Sequence, residues 1–213
     1  MKMHRLVSSS IVVCLLAVSV QSKSFAAGGE TLDSDPMETW GWRAAMITSL
    51  ALTLASNPLD ADEYTVSLMG NPKTAGIKVG FRWHPESDMA LLEGTNFSHY
   101  YHLGYNYWQS TETGGQEGVN NVLEFVPVFR YSWAQQDVFS YVETSVGLSV
   151  FAKTAMDDRE FSTNFQFANG LAIGGFISAQ TSWSLQLQHY SNNSIKLPNN
   201  GINWYNLNIA YRY

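Results

Sequence analysis

"WYNLNIAYRY", from Trp204 to Tyr213, alternates in character without a break. Tyr205, Leu207, Ile209, Tyr211 and Tyr213 fall on one face, and Trp204, Asn206, Asn208, Ala210 and Arg212 on the other. Side chains on a β-strand change face at every residue, so a period of two marks a strand between two different surroundings. The same division recurs upstream. Ile77, Val79, Phe81 and Trp83 oppose Lys78, Gly80, Arg82 and His84; Leu123, Phe125, Phe129, Tyr131 and Trp133 oppose Glu124, Val126, Val128, Arg130 and Ser132. In each case the broad face is apolar and the narrower face carries amides, charges or small residues.

Alternation alone leaves two architectures open, a secreted β-sandwich and a closed barrel in a membrane. The ending favours the barrel: a terminal aromatic with apolar residues at every second position before it is usual in chains inserted into an outer membrane. Candidate strands fall at 62–69, 75–84, 91–108, 118–133, 138–151, 164–178, 180–191 and 202–213, separated by turn-rich pieces such as "GNPK" and "TETGGQEG". Eight is an even number, as a bacterial barrel with both termini in the periplasm requires. The expected fold is therefore all-β, an eight-stranded antiparallel transmembrane β-barrel over 62–213. Such a barrel is just wide enough inside for side chains. Lys78, Arg82, Glu124, Arg130 and Glu143 are expected to pair there, because buried charges need partners. The tyrosines and tryptophans are expected in girdles at the membrane edges.

The amino-terminal part reads differently. Lys2 and Arg5 precede an apolar run from Ile11 to Val20 and the small residues before Ala26, so 1–26 is expected to be a secretory signal peptide. Residues 27–61 form an expected periplasmic segment. Within it, Pro36 to Ser56 reads as a short helix, with Met46, Ile47, Leu50 and Leu54 at helical spacing; an extra strand is the alternative.

Composition removes several functions. The single cysteine, Cys14, lies in the expected leader, which leaves neither a disulfide framework nor a thiolate metal site in the mature chain. The whole chain has 12 basic and 18 acidic residues; the leader holds three of the basic ones, so the mature charge is −9. That balance argues against nucleic acid as a partner. His84, His99 and His102 lack metal-ligand spacing, and no metal or cofactor is expected. Ser98 and His99 point to opposite faces of their strand and make no dyad.

The chemistry lies just before the last strand. Trp183, Leu185 and Leu187 mark an outward face, and His189 and Ser191 share their parity. Both are expected to face the outer leaflet's interfacial zone. On the returning strand Asn203 shares the parity of Tyr205 and Leu207, so a pairing of His189 with Asn203 brings Leu187 to Tyr205 and Leu185 to Leu207. Residues i and i+2 of a strand are about 7 Å apart. A histidine at that spacing can take the proton that keeps a serine hydroxyl from being a good nucleophile. N–H groups of the following turn, Asn192 to Ser194, are candidates to bind an oxyanion. An ordinary set of polar residues at a wet barrel rim fits the same bare pattern.

The whole segment "HYSNNSIKLPNNGIN" resembles the outer-membrane lipid A 3-O-deacylase family, the PagL type. The resemblance rests on His189, Tyr190, Ser191, Asn192, Pro198, Asn199, Gly201 and Ile202. Weaker likeness runs through "GYNYW" (Gly104 to Trp108), "FVPVFRY" (Phe125 to Tyr131) and "FSTNFQFANGLAIG" (Phe161 to Gly174). It implies an eight-stranded barrel that hydrolyses the ester-linked acyl chain at the 3-position of lipid A, with His189 as general base, Ser191 as nucleophile and Asn192 in the oxyanion hole. The implied partners are lipopolysaccharide as substrate and the outer membrane as integral location; a homodimer is left open. Two positions depart from the pattern. Asn203 stands where the family acid is usual, and Ser194 stands near a common glycine. A catalytically weakened or inactive lipid-binding barrel of the same family is therefore the alternative expectation. A pore or adhesin fits less well, because eight strands leave little lumen.

Overall fold

The computed structural model describes residues 56–213, except 58, 87, 88, 90, 91, 93, 113–117, 135 and 136, together with Thr48. The leader expected over 1–26 and nearly all of the helix expected over 36–56 lie outside these residues. The described strands are β1 (Glu63–Asn71), β2 (Thr74–Trp83), β3 (Phe97–Ser110), β4 (Val119–Ser132), β5 (Tyr141–Phe151), the short β6 (Ala155–Met156) and β7 (Arg159–Glu160), β8 (Phe165–Phe176), β9 (Thr181–Ser191) and β10 (Ile202–Arg212). Eight of them close into a barrel in the order β1-β10-β9-β8-β5-β4-β3-β2, while β6 and β7 form a separate two-stranded hairpin. Every described pairing is antiparallel, and β1 closes the ring against β10 with Glu63 opposite Arg212 and Gly70 opposite Tyr205.

Parity sorts the side chains as the alternation requires. On β9, Leu185 is 52% exposed whereas Gln188 is 3% exposed. Leu68, Leu123, Val146, Leu148, Leu171 and Leu207 face outward in the same way. A continuous apolar outer band of this kind is the surface of a barrel that crosses a bilayer. Rings cluster on this outer face at the end that holds the chain terminus: Tyr64 against Phe81 and Tyr213, Phe97 against Tyr131, and Phe139 against Trp183.

Inside, two layers of charge are stacked. Near the terminus end, Glu63 meets Arg82 at 3.3 Å and Arg212 at 2.8 Å, and Glu143 meets Arg130 at 2.7 Å and the Tyr100 hydroxyl at 2.8 Å. Deeper, Lys78 meets Glu124 at 2.8 Å and donates to Gln188 at 2.6 Å, while Gln188 donates to Glu124. The expected pairing of Lys78, Arg82, Glu124, Arg130 and Glu143 is present, with Glu63 and Tyr100 as further members. Above these layers an aromatic plug fills the other end: Trp108 lies 4.8 Å from Trp204, 5.1 Å from Tyr190 and 5.0 Å from Phe151 between ring centroids. The remaining gap among the charged side chains is about 20 Å³, room for about one water.

Three expectations need correction. Trp108, Trp204, Tyr100, Tyr141 and Tyr190 are buried in the lumen and are not girdle residues; Trp108, Trp204 and Tyr190 pack with Phe151 and other inward apolar side chains, and Tyr100 and Tyr141 pack against Arg130. The strand expected from 91 begins at Phe97. Ahead of it, Leu92 N–H donates to the Met89 carbonyl and Thr95 N–H to the Leu92 carbonyl, so local turns take up these backbone groups. Likewise Val138 to Ser140 precede β5: the Ser140 hydroxyl donates to the Asp137 carbonyl and closes a turn.

Candidate active site

At the end opposite the chain terminus, β9 and β10 are joined by a loop over 192–201. The register pairs His189 with Asn203, Leu187 with Tyr205 and Leu185 with Leu207, as the alternation suggested. His189 and Asn203 lie on the outer face, and His189 Nδ1 is 2.7 Å from Asn203 Oδ1. An amide oxygen only accepts, so this contact places the imidazole proton on Nδ1 and leaves the Nε2 lone pair available as a base. Ser191 shares the outward parity and is half-buried. Among the described residues its hydroxyl makes no hydrogen bond to His189. Catalytic hydrogen bonds are often long in the free state and tighten when substrate is bound.

The corner between these residues is empty because residue 201 is glycine. A Cβ there would lie 2.8 Å from His189 Cε1 and 3.2 Å from Nε2. Both distances are shorter than a relaxed carbon contact, so any side chain at 201 would push the ring. The sequence motif contains Gly201, but only the fold shows that the imidazole rests against it.

Asn192 is fully buried, on the inward parity of Tyr190. Its side-chain amide donates to the Lys196 carbonyl at 2.8 Å and the Phe161 carbonyl at 2.9 Å, and its N–H donates to Asn199 Oδ1 at 3.1 Å. It shapes the loop from within. Asn193 and Ser194 follow with φ of 51° and 63°, the left-handed region in which glycine has no steric penalty. That is the local reason a glycine suits this turn. Among the described residues the N–H groups of Asn193 and Ser194 have no acceptor, so they remain free to meet one from outside.

The loop between β5 and β8, read from sequence only as a connection, is the second wall of the site. It carries the β6–β7 hairpin. Arg159 Nη1 donates to the Gly201 carbonyl at 2.9 Å, Asn200 N–H donates to the Glu160 carbonyl at 3.1 Å, and the Ser162 hydroxyl donates to the Pro198 carbonyl. No pattern in the sequence reports such contacts, since all join segments about 40 residues apart.

On the membrane-facing side, Leu68, Gly70, Leu185, Leu187, Tyr205 and Leu207 line a groove of about 610 Å³ that crosses β1, β10 and β9. Gly70 faces Tyr205 across β1 and β10, which keeps the wall low at that point. The groove begins one outward pair below His189 and Asn203.

A model of the family described as Lipid A 3-O-deacylase (PagL) matches residues 75–212. The chain belongs to the PagL family. It is similar to Lipid A deacylase PagL of Pseudomonas aeruginosa, with 28% identity over 131 residues, 61% of this chain and 73% of that protein. It is similar also to Lipid A deacylase PagL of Bordetella bronchiseptica, with 27% identity over 111 residues, 52% of this chain and 60% of that protein. A crystal structure of the outer membrane enzyme PagL superposes with a TM-score of 0.60 at 23% identity, covering 71% of this chain and 99% of the other. That likeness supports the barrel fold. The stretch matched by the PagL family model includes Arg159, His189, Ser191, Asn192, Ser194, Gly201 and Asn203, while Leu68 and Gly70 of the groove precede it.

Proposed function

We propose that this barrel is an integral outer-membrane esterase that removes the 3-O-linked acyl chain of lipid A at the outer-leaflet face. The observation that carries the reading is the outward His189–Asn203 contact beside Ser191, directly above an apolar groove. A fatty acyl chain of lipopolysaccharide lies in the groove, and its ester carbonyl reaches the rim. Removing apolar surface from contact with disordered lipid is not a strong driving force, so the groove mainly orients the chain.

His189 Nε2 takes the Ser191 proton as Oγ attacks the ester carbon. The carbonyl oxygen becomes an oxyanion and is met by backbone N–H groups of the turn, with Ser194 as a candidate and Asn192 as the residue that holds the turn's shape. Collapse breaks the bond to the sugar 3-oxygen, which leaves with the proton from the imidazolium. Water then repeats the sequence on the acyl-Ser191 intermediate and releases a fatty acid. No metal or cofactor is needed to balance either half.

Asn203 favours a second reading, a weakened or inactive lipid-binding relative. An amide keeps the tautomer but adds no charge to stabilise the imidazolium. Mass spectrometry of lipid A from cells producing the native chain or Ser191→Ala separates the two. Loss of one 3-O-acyl chain with the native protein alone is the expected result. Identical lipid A in both, with each protein folded in the outer membrane, overturns the esterase and leaves the lipid-binding barrel.

A further inference from the structure

The imidazole of His189 is held on two edges. Asn203 binds Nδ1, and the Gly201 position lies beside the Cε1–Nε2 edge, where a Cβ would come within 2.8 Å of Cε1 and 3.2 Å of Nε2. Nε2 is the atom that would receive the serine proton, and a shift of the backbone at 201 toward the ring would crowd it. Gly201 precedes β10 and is outside its hydrogen-bonded ladder. Its carbonyl is anchored instead by Arg159, which reaches across from the β6–β7 hairpin. The hairpin is anchored in turn by Asn200 N–H on the Glu160 carbonyl and by Ser162 on the Pro198 carbonyl.

We propose that Arg159 is a positioning residue for His189, acting through the Gly201 backbone to hold Nε2 at the height of Ser191. The proposal rests on the reading of His189 as the base. A guanidinium has a rigid, planar set of donors, whereas an ammonium is a point charge on a flexible stem. Lysine at 159 should therefore restore only part of the effect. Misplacing a catalytic group by about 1 Å can cost on the order of a hundredfold in rate, so a loosened wall acts on turnover and leaves the groove intact.

The test uses the full-length protein in detergent micelles with lipopolysaccharide as substrate. Arg159→Ala should lower kcat tenfold or more with KM within twofold of the native value. Arg159→Lys should fall between the two, and Ser162→Ala, which loosens the same hairpin without touching Gly201, should lose less than threefold. A second readout does not depend on turnover: the ring signals of ¹⁵N-labelled His189, assigned by comparison with His189→Gln. They should shift or broaden in Arg159→Ala and do so to a smaller degree in Ser162→Ala. Unchanged kcat together with unchanged His189 signals overturns the proposal. A rise in KM alone also overturns it, since it would make Arg159 a substrate contact. If the native chain shows no turnover, the esterase reading fails, and the His189 signals alone decide whether Arg159 positions the ring. Should Arg159→Ala fail to fold, Arg159→Lys carries both readouts with the same criteria.

Discussion

In the proposed mechanism, Asn203 is the residue on which activity turns. Its oxygen sits 2.7 Å from His189 Nδ1, where a carboxylate would also sit, so the contact has the geometry that the proposed base requires. What the amide lacks is charge. In a serine protease the change from aspartate to asparagine lowers turnover by about 10⁴-fold. Part of that loss comes from the wrong tautomer, which the Oδ1 contact avoids here. Asn203→Glu is therefore expected to raise the rate of lipid A deacylation at least tenfold, and Asn203→Ala to lower it about tenfold; release of fatty acid from lipopolysaccharide by the purified variants checks both. An unchanged rate in Asn203→Glu would mean that the imidazolium is stabilised elsewhere. The shared outward face of His189 and Asn203 was legible in the sequence, because each lies an even count from an outward leucine on its own strand, while the register that pairs them comes from the fold. The part played by Gly201 was not legible, since a glycine leaves no trace of what leans on it.

Between elements, the decisive contact is loop against loop. Asn192 donates to carbonyls in both the 192–201 loop and the preceding one, through Lys196 and Phe161. A buried hydrogen bond contributes about 1 kcal/mol on balance. Asn192→Ala is expected to loosen the loop while the strand ladder, which it does not join, remains closed. Limited proteolysis should then cut within 192–201 several times faster than in the native chain, with the heat-induced mobility shift of the barrel at nearly the same temperature. Equal cleavage rates would show that the loop is held by other contacts. The sequence marked these residues as a turn and 152–163 as a connection; it carried no sign that one clasps the other. Contacts of that kind depend on which barrel strands become neighbours at one rim, and local patterns do not encode that.

At the scale of the whole barrel, the lumen decides stability and excludes a channel. Lys78 and Glu124 lie 2.8 Å apart and are each almost fully buried, with Gln188 and Tyr190 on the same carboxylate. Removing one member of a buried pair strands the other charge, at a cost of about 3–5 kcal/mol. Lys78→Met alone is therefore expected to lower unfolding stability in urea by roughly that amount. The double variant Lys78→Met with Glu124→Leu should recover most of it, and a double variant as unstable as the single one would argue that Gln188 and Tyr190 need the carboxylate more than Lys78 does. With charge layers below and the aromatic plug above, ion conductance through this protein in a planar bilayer should be negligible.

The alternation of side chains, read together with the aromatic ending, determined the class of fold, the approximate strands, the inward set of charges and the outward parity of His189, Ser191 and Asn203. All of these follow from a repeat of two residues set against two solvents, lipid outside and a narrow polar lumen inside. Tertiary structure alone decided which aromatics leave the membrane face to plug the barrel, that the space a side chain at 201 would need is taken by the imidazole, and that Arg159 bonds the Gly201 carbonyl from a distant loop. Those outcomes depend on ring closure, which brings remote loops to one rim and sets how much room each inward position has.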